Sequence, residues 1–215
     1  MTSTPRPKAR NNGATATLSD DELSSAAQRD RRKRILDATL ALASKGGYDA
    51  VQMRAVAERA DVAVGTLYRY FPSKVHLLVS ALAREFERIE SKTDRRLPTG
   101  LTVNERLELM LNQITQTMQR DPLLTEAMTR AFMFADASAA AEVATVGTLI
   151  DRIFAKAITP DTEPTEDQLN VARVISDVWM SNLVAWLTRR ASASDVAKRL
   201  ELTIQLLLGE NADKP

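Results

Sequence analysis

An all-α fold is what this 215-residue chain predicts, and three observations carry it. Between Ile35 and Leu208, apolar residues recur at intervals of three, four and seven, the pattern of helices that bury one face. Seven glycines and eight prolines are few for the length, which favours long helices over a turn-rich sheet. Thr102 with Glu105, Thr165 with Gln168 and Ser192 with Asp195 have the spacing of capping boxes just ahead of apolar stripes. With 44% hydrophobic residues, the chain can bury one large core, or a small domain beside a larger one.

The first 27 residues mix Thr, Ser, Pro, Asn, Gly and Ala with almost no large apolar side chain, so disorder is expected over 1–27. Arg6, Lys8 and Arg10 there suit either a basic arm or an inert tail. A first domain is expected over 28–74. The run Arg29 to Arg34 opens its first helix, Ile35, Ala38, Thr39, Leu42 and Ala43 line the inner face, and Gly46-Gly47 stops it. Tyr48 is expected to fill the gap between helices. Met53, Val56, Ala57 and Ala60 stripe a short second helix, Asp61-Val62-Ala63 interrupts it, and Val64 to Tyr70 resumes with Leu67 inward. Pro72 forbids simple continuation. Two short helices joined by a tight turn make a helix-turn-helix.

The exposed side of the second helix in that pair carries Gly65, Thr66, Tyr68, Arg69 and Tyr70, residue types suited to base edges and phosphates. Net charge over the whole chain is only +1. From Arg29 to Lys74, however, ten Lys and Arg face five Asp and Glu, a local +5 that points to a polyanionic partner.

Gly47-Tyr48, Val56-Ala57-Glu58-Arg59-Ala60, Gly65 to Phe71 and Ser73-Lys74 resemble the DNA-binding signature of TetR-family repressors, over about a quarter of the chain. Three departures stand out. Val51 and Gln52 replace a usual Thr pair, Asp61 stands at the usual turn glycine, and Ala63 at the usual serine cap. Asp tolerates left-handed backbone better than most residues, while a lost capping hydroxyl costs about 1 kcal/mol. The resemblance implies a dimer on double-stranded DNA, with an inverted-repeat operator. Arg29, Arg31, Arg32, Lys33, Tyr68, Tyr70 and Lys74 would then hold phosphates. Gln52, Arg54, Val64, Gly65, Thr66 and Arg69 would lie near base edges.

Residues 75–215 are expected to form a ligand-binding and dimerisation domain. Ser73 caps a fourth helix to about Thr93, and the only histidine, His76, is expected at its surface, which excludes a histidine-cluster metal site. Residues 95–100 read as a loop. Helices follow from Thr102 to Arg120, from Asp121-Pro122 through Phe132, and from Ser138 through Ala157. The next, Glu166 to Arg189, is apolar on two sides and needs two surfaces to bury it. A final helix starts at Ser192 and stops at Gly209. A homodimer through a four-helix bundle, with Val174, Val178, Ala185, Leu200, Ile204 and Leu207 in the seam, resolves the excess.

No glycine-rich phosphate loop, cysteine nucleophile or metal-ligand spacing is present, so no enzyme, cofactor or metal is expected. The absence of cysteine fits a reducing compartment, and no apolar run approaches a membrane span, so a cytoplasmic protein is expected. Met110, Ile114, Met118, Met128, Phe132, Trp179, Asn182 and Trp186 suit either plain core or a cavity for a lipophilic small-molecule effector. Asn112, Gln113, Gln116 and Thr148 are the polar anchors such a cavity would use. Within the family, the run from Asp21 to Lys74 and the chain as a whole resemble a repressor of sterol-degradation genes. That resemblance implies a sterol-derived CoA thioester, whose nucleotide end would need cations such as Arg130, Arg152 and Arg173. A fatty acyl-CoA, a lipophilic drug, or an architectural DNA binder with no effector are the alternatives.

Overall fold

The structure, a computed structural model, describes residues 20–93 and 100–209. Helices α1 (Asp20–Ala50), α2 (Met53–Arg59), α3 (Val64–Tyr70) and α4 (Lys74–Thr93) are followed by α5 (Val103–Arg120), α6 (Pro122–Met133), α7 (Ala140–Ile158), α8 (Glu166–Leu187) and α9 (Ala193–Leu208). Among the described residues there is no strand, and no single helix is long and apolar enough to cross a membrane.

The expected disorder of 1–27 lies outside the described residues up to position 19; beyond that it is corrected, because α1 already runs from Asp20. Ala26, Ala27 and Gln28 favour helix intrinsically and lead straight into the basic run. The glycine stop is real: α1 kinks at Gly46 and Gly47, and Gly47 at φ 66 occupies backbone space that a side chain resists.

Helix starts in the larger part follow their caps. Thr102, Thr165 and Ser192 each form a full capping box with the residue three positions on. Asp121 accepts from the Leu124 amide ahead of Pro122. The start expected at Ser138 belongs instead to a 3-10 turn, Ala137–Ala139, which Asp136 caps by accepting from the Ser138 amide at 2.9 Å. At the other end of α7, Arg106 Nε and Nη2 donate to the carbonyls of Ala157 (2.8 Å) and Ile158 (3.1 Å), satisfying groups a helix end leaves bare.

The helix-turn-helix end is not a loose appendage. α1 packs along α6 in the most extensive helix–helix contact of the fold, and α4 packs along α7. His76, expected at the surface, is buried between them. Its Nδ1 pairs with Ser73 Oγ (2.9 Å) and its Nε2 with the Ser138 carbonyl (3.0 Å), so it ties the start of α4 to the α6–α7 corner. In the centre Trp179 meets Phe86 and Phe154 edge-on, at centroid distances of 6.2 and 6.0 Å.

Candidate nucleic-acid interface

Helices α2 and α3 span seven residues each, too short to persist alone. Val56 and Ala57 anchor one, and Leu67 is the single buried residue of the other. Neither has a side-chain cap, since Gln52 and Ala63 make no capping bond. Two backbone bonds close the turn between them. The Asp61 amide donates to Glu58 O (3.2 Å) and the Val62 amide to Ala57 O (3.0 Å), the two bonds of a Schellman ending. Asp61, in the glycine position of that motif, holds φ 53, a conformation that costs a non-glycine residue about 1 kcal/mol.

What this frame presents is a polar face. Arg29, Arg32, Lys33, Gln52, Arg54, Val64, Gly65, Tyr68 and Arg69 are exposed, and Arg31, Thr66, Tyr70 and Lys74 half-buried. Thr66 and Arg69 are linked, Arg69 Nη2 donating to Thr66 Oγ1 at 3.2 Å. A Cβ at Gly65 would meet nothing within 4 Å, so packing inside the chain does not demand glycine there. Its bare backbone leaves the surface open at the start of α3. Lys33 is engaged by Asp37 at 3.1 Å, an exposed pair of little strength. The Arg32 guanidinium lies 5.8 Å from the Phe71 ring centroid.

Tyr48 fills the gap between helices and does more. Lys74 Nζ stands 3.7 Å from its ring centroid and the Arg130 guanidinium of α6 4.4 Å. Burial, with Arg130 close by, pulls the Lys74 ammonium below its usual lysine value, against the opposing pull of Asp49 and Glu126. Arg34 escaped notice within the basic run. It reaches the α2–α3 turn, its Nη1 donating to Ala60 O at 2.5 Å. Its place four residues after Asp30 and next to buried Ile35 is the only sequence signal of that reach.

The expected effector residues sit in the larger part. Met110, Ile114, Met118, Met128 and Trp179 are buried in the common core, with Phe132 and Trp186 packed at its margin. Trp179 Nε1 donates to Thr115 Oγ1 at 3.3 Å. Asn182 is buried as well, donating to Val178 O and accepting from Arg199 of α9. Asn112, Gln113 and Gln116 are exposed, so as anchors inside that core they are corrected, whereas Thr148, also exposed, lines the cavity shared by Arg152 and Arg173. Arg152 and Arg173 do converge, with Lys156, on a cavity of about 510 Å³ between α4, α7 and α8 that also holds Glu90, Asp151 and Glu163. Glu90 grips Arg152 through both oxygens, at 2.9 and 3.2 Å. Arg130 lies apart, on Tyr48. Of the expected seam, Val174 and Leu207 are exposed and Val178 and Ala185 half-buried. Leu200 and Ile204 are corrected: at 5% and 0% exposure they pack toward α5 of the same chain.

A compact helix-turn-helix with a bare recognition face, docked on a larger helical domain, defines a DNA-binding regulator. Residues 35–81 match the model of the bacterial regulatory proteins of the tetR family, and residues 100–207 the tetracyclin repressor-like C-terminal domain. The chain belongs to the TetR family of transcriptional regulators. It is 77% identical over 202 residues to the HTH-type transcriptional repressor KstR of Rhodococcus jostii (strain RHA1), covering 94% of each chain. To KstR of Mycolicibacterium smegmatis (strain ATCC 700084 / mc(2)155) it is 72% identical, over 90% of this chain and 95% of that one. Among solved structures, a TetR transcriptional regulator from Rhodococcus sp. RHA1 matches with a TM-score of 0.77 at 31% identity, over 85% of this chain and 97% of that one. Thermus thermophilus FadR, solved with lauroyl-CoA, shares the fold at a TM-score of 0.68 and 20% identity, over 86% and 96% of the two chains.

Proposed function

We infer that the protein is a homodimeric repressor, released by an effector, whose two α3 helices enter successive major grooves of an inverted repeat about 34 Å apart. The observation that carries this reading is a pair of exposed surfaces of opposite character. One is the polar and basic face around α3. The other is an apolar edge on α8 and α9, where Val174, Leu202, Leu206 and Leu207 are exposed, Leu206 to 76%. Such an edge marks a protein contact, and pairing α8 and α9 with those of a second copy buries it in a four-helix bundle. Val178 and Ala185 continue the Val174 face of α8 by helical spacing.

For the effector, a CoA thioester is the class favoured. The lauroyl-CoA complex of the T. thermophilus protein has the same fold. The resemblance to a repressor of sterol-degradation genes puts a sterol-derived acyl group ahead of a fatty acyl chain or a drug, and makes sterol or lipid catabolism, in the cytoplasm, the process controlled. The acyl part would part the core around Met110, Ile114, Met118, Met128, Phe132, Trp179 and Trp186. The nucleotide end would lie against Arg152 and Arg173. Release is limited by the difference in the ligand's affinity for the two states.

Titration of a sterol-derived thioester, a long fatty acyl thioester and the free sterol acid against a labelled inverted repeat tests the effector. The sterol-derived thioester should release DNA and raise the melting temperature, because a ligand of the folded state stabilises it. Release by none, with no thermal shift, would leave an architectural DNA binder. For assembly, Leu202→Glu with Leu206→Glu should sediment as monomer and lose operator binding; a wild-type monomer at micromolar concentration would sink the seam.

A further inference from the structure

We propose that Arg34 is a positioning residue for the recognition helix, pinning the α2–α3 turn from behind. That turn lacks the usual local supports. Asp61 keeps a Cβ at φ 53, and Ala63, the N-cap of α3, gives no side-chain hydrogen bond. The last carbonyls of a helix have no amide partner of their own, and here Arg34 takes them up. Its Nη1 donates to Ala60 O at 2.5 Å and lies 3.3 Å from Asp61 O. Asp30 orients the guanidinium, its Oδ2 accepting from Nε at 3.2 Å. A cation at this place also complements the dipole at the end of α2.

The bond joins residues 26 apart, so it fastens α1 directly to the turn. The α1 side of that link is fixed, because Ile35 and Leu36 beside Arg34 are fully buried. The α3 side is held more lightly, since Leu67 is the only buried residue within that helix and Phe71, at its C-cap, anchors only the far end. The placement of the N-terminal end of α3 therefore depends on the turn, and the turn on Arg34. A shift of the helix spoils the bonds to base edges that carry sequence information, whereas phosphate contacts supply affinity on any duplex. Loss of Arg34 should fall on discrimination rather than on general DNA affinity.

The probes are the inverted-repeat duplex that the wild type selects from a randomised pool, and a random duplex of equal length. Arg34→Met should weaken binding to the selected duplex about tenfold or more and to the random duplex less than about threefold. Arg34→Lys, which keeps the charge without the planar fork, should fall between. Adding Asp61→Gly to Arg34→Met relieves the left-handed strain without restoring charge, and should recover about threefold or more of the specific affinity. Equal losses on both duplexes with no recovery would overturn the proposal and make Arg34 an ordinary phosphate contact.

The proposal rests on sequence-specific reading by α3, so a second measurement omits DNA. In Arg34→Met the amides of Val62, Thr66 and Leu67 should exchange hydrogen about tenfold faster, while those of α5 and α9 keep their rates. Unchanged exchange at the turn would overturn the proposal whatever happens to DNA binding. A wild type that selects no sequence would count against the DNA reading alone, and exchange would still decide the role of Arg34. If Arg34→Met does not fold, Arg34→Lys carries the same comparison.

Discussion

The two ends of this molecule are held together by different means. In the larger part, α5, α8 and α9 are 18, 22 and 16 residues long, and each opens with a complete capping box. At the DNA-reading end, α2 and α3 have seven residues and no side-chain cap. The first group carries its own stability in local signals. The second is borrowed structure, held by a few buried side chains (Val56, Ala57, Leu67 and Phe71), by the backbone turn at Asp61 and by an arginine from α1. The difference bears on function. A reading head with little local stability can be reset by small movements of the helices it rests on, and α1 and α4 rest on α6 and α7.

The largest effect that would break this contrast is at Leu67. Leu67→Ala empties the one buried position of α3, and a buried Leu→Ala change costs about 2–5 kcal/mol. Operator binding should be lost while the helical signal of α5–α9 melts as before, followed by circular dichroism and a mobility-shift assay. Operator affinity within about threefold of wild type would mean that α3 supports itself, since the energetic cost would then have gone elsewhere.

A smaller effect sharpens the contrast from both sides. Ala63→Ser supplies the missing cap of α3 and should add about 1 kcal/mol, whereas Thr165→Ala should remove about as much from α8. Because α3 is the weak partner, Ala63→Ser should slow hydrogen exchange in α3 more than it raises the global melting temperature. Thr165→Ala should lower the global melting temperature with no change at α3. Matching global shifts from both would show the two ends melting as one unit.

Legibility in the sequence divides along the same line. Val64 to Tyr70 and the starts of α5, α8 and α9 were readable because caps, Pro72 and apolar spacing act over three or four residues. Asp61 was readable as left-handed for a similarly local reason. What escaped depends on distant partners. Leu200 and Ile204 satisfy the period of a seam and that of a core equally, and only the placement of α5 makes them core. His76 sits on a polar-looking turn and is buried by the α6–α7 corner, over sixty residues away. Arg34 looks like its basic neighbours until α2 folds against it. Of the cations expected at one mouth, Arg152 and Arg173 meet, whereas Arg130 is taken by Tyr48, because helix packing and not spacing decides which faces converge.

The smallest effect is in acid, and the chain carries its own control. The boxes of α5 and α9 close with carboxylates, Glu105 and Asp195, whereas that of α8 closes with the uncharged Gln168. Bonds from the Thr102 amide and hydroxyl hold Glu105 below its ordinary value, and bonds from Ser192 do the same for Asp195. A carboxylate lowered in the folded state adds stability that is fully present above its ordinary pKa. That stability is lost as pH falls through the lowered one. Glu108 acts in the opposite sense: burial first, then Glu201 and Glu105, push it up, so its penalty is relieved in acid. Glu105→Gln makes the α5 box resemble that of α8 and should leave stability near neutral pH almost unchanged. Between about pH 5 and pH 3 it should flatten the fall in urea midpoint. Gln168→Glu should steepen that fall by giving α8 a carboxylate to lose. Parallel curves for the wild type and both variants would mean that these boxes stabilise their helices without their charge.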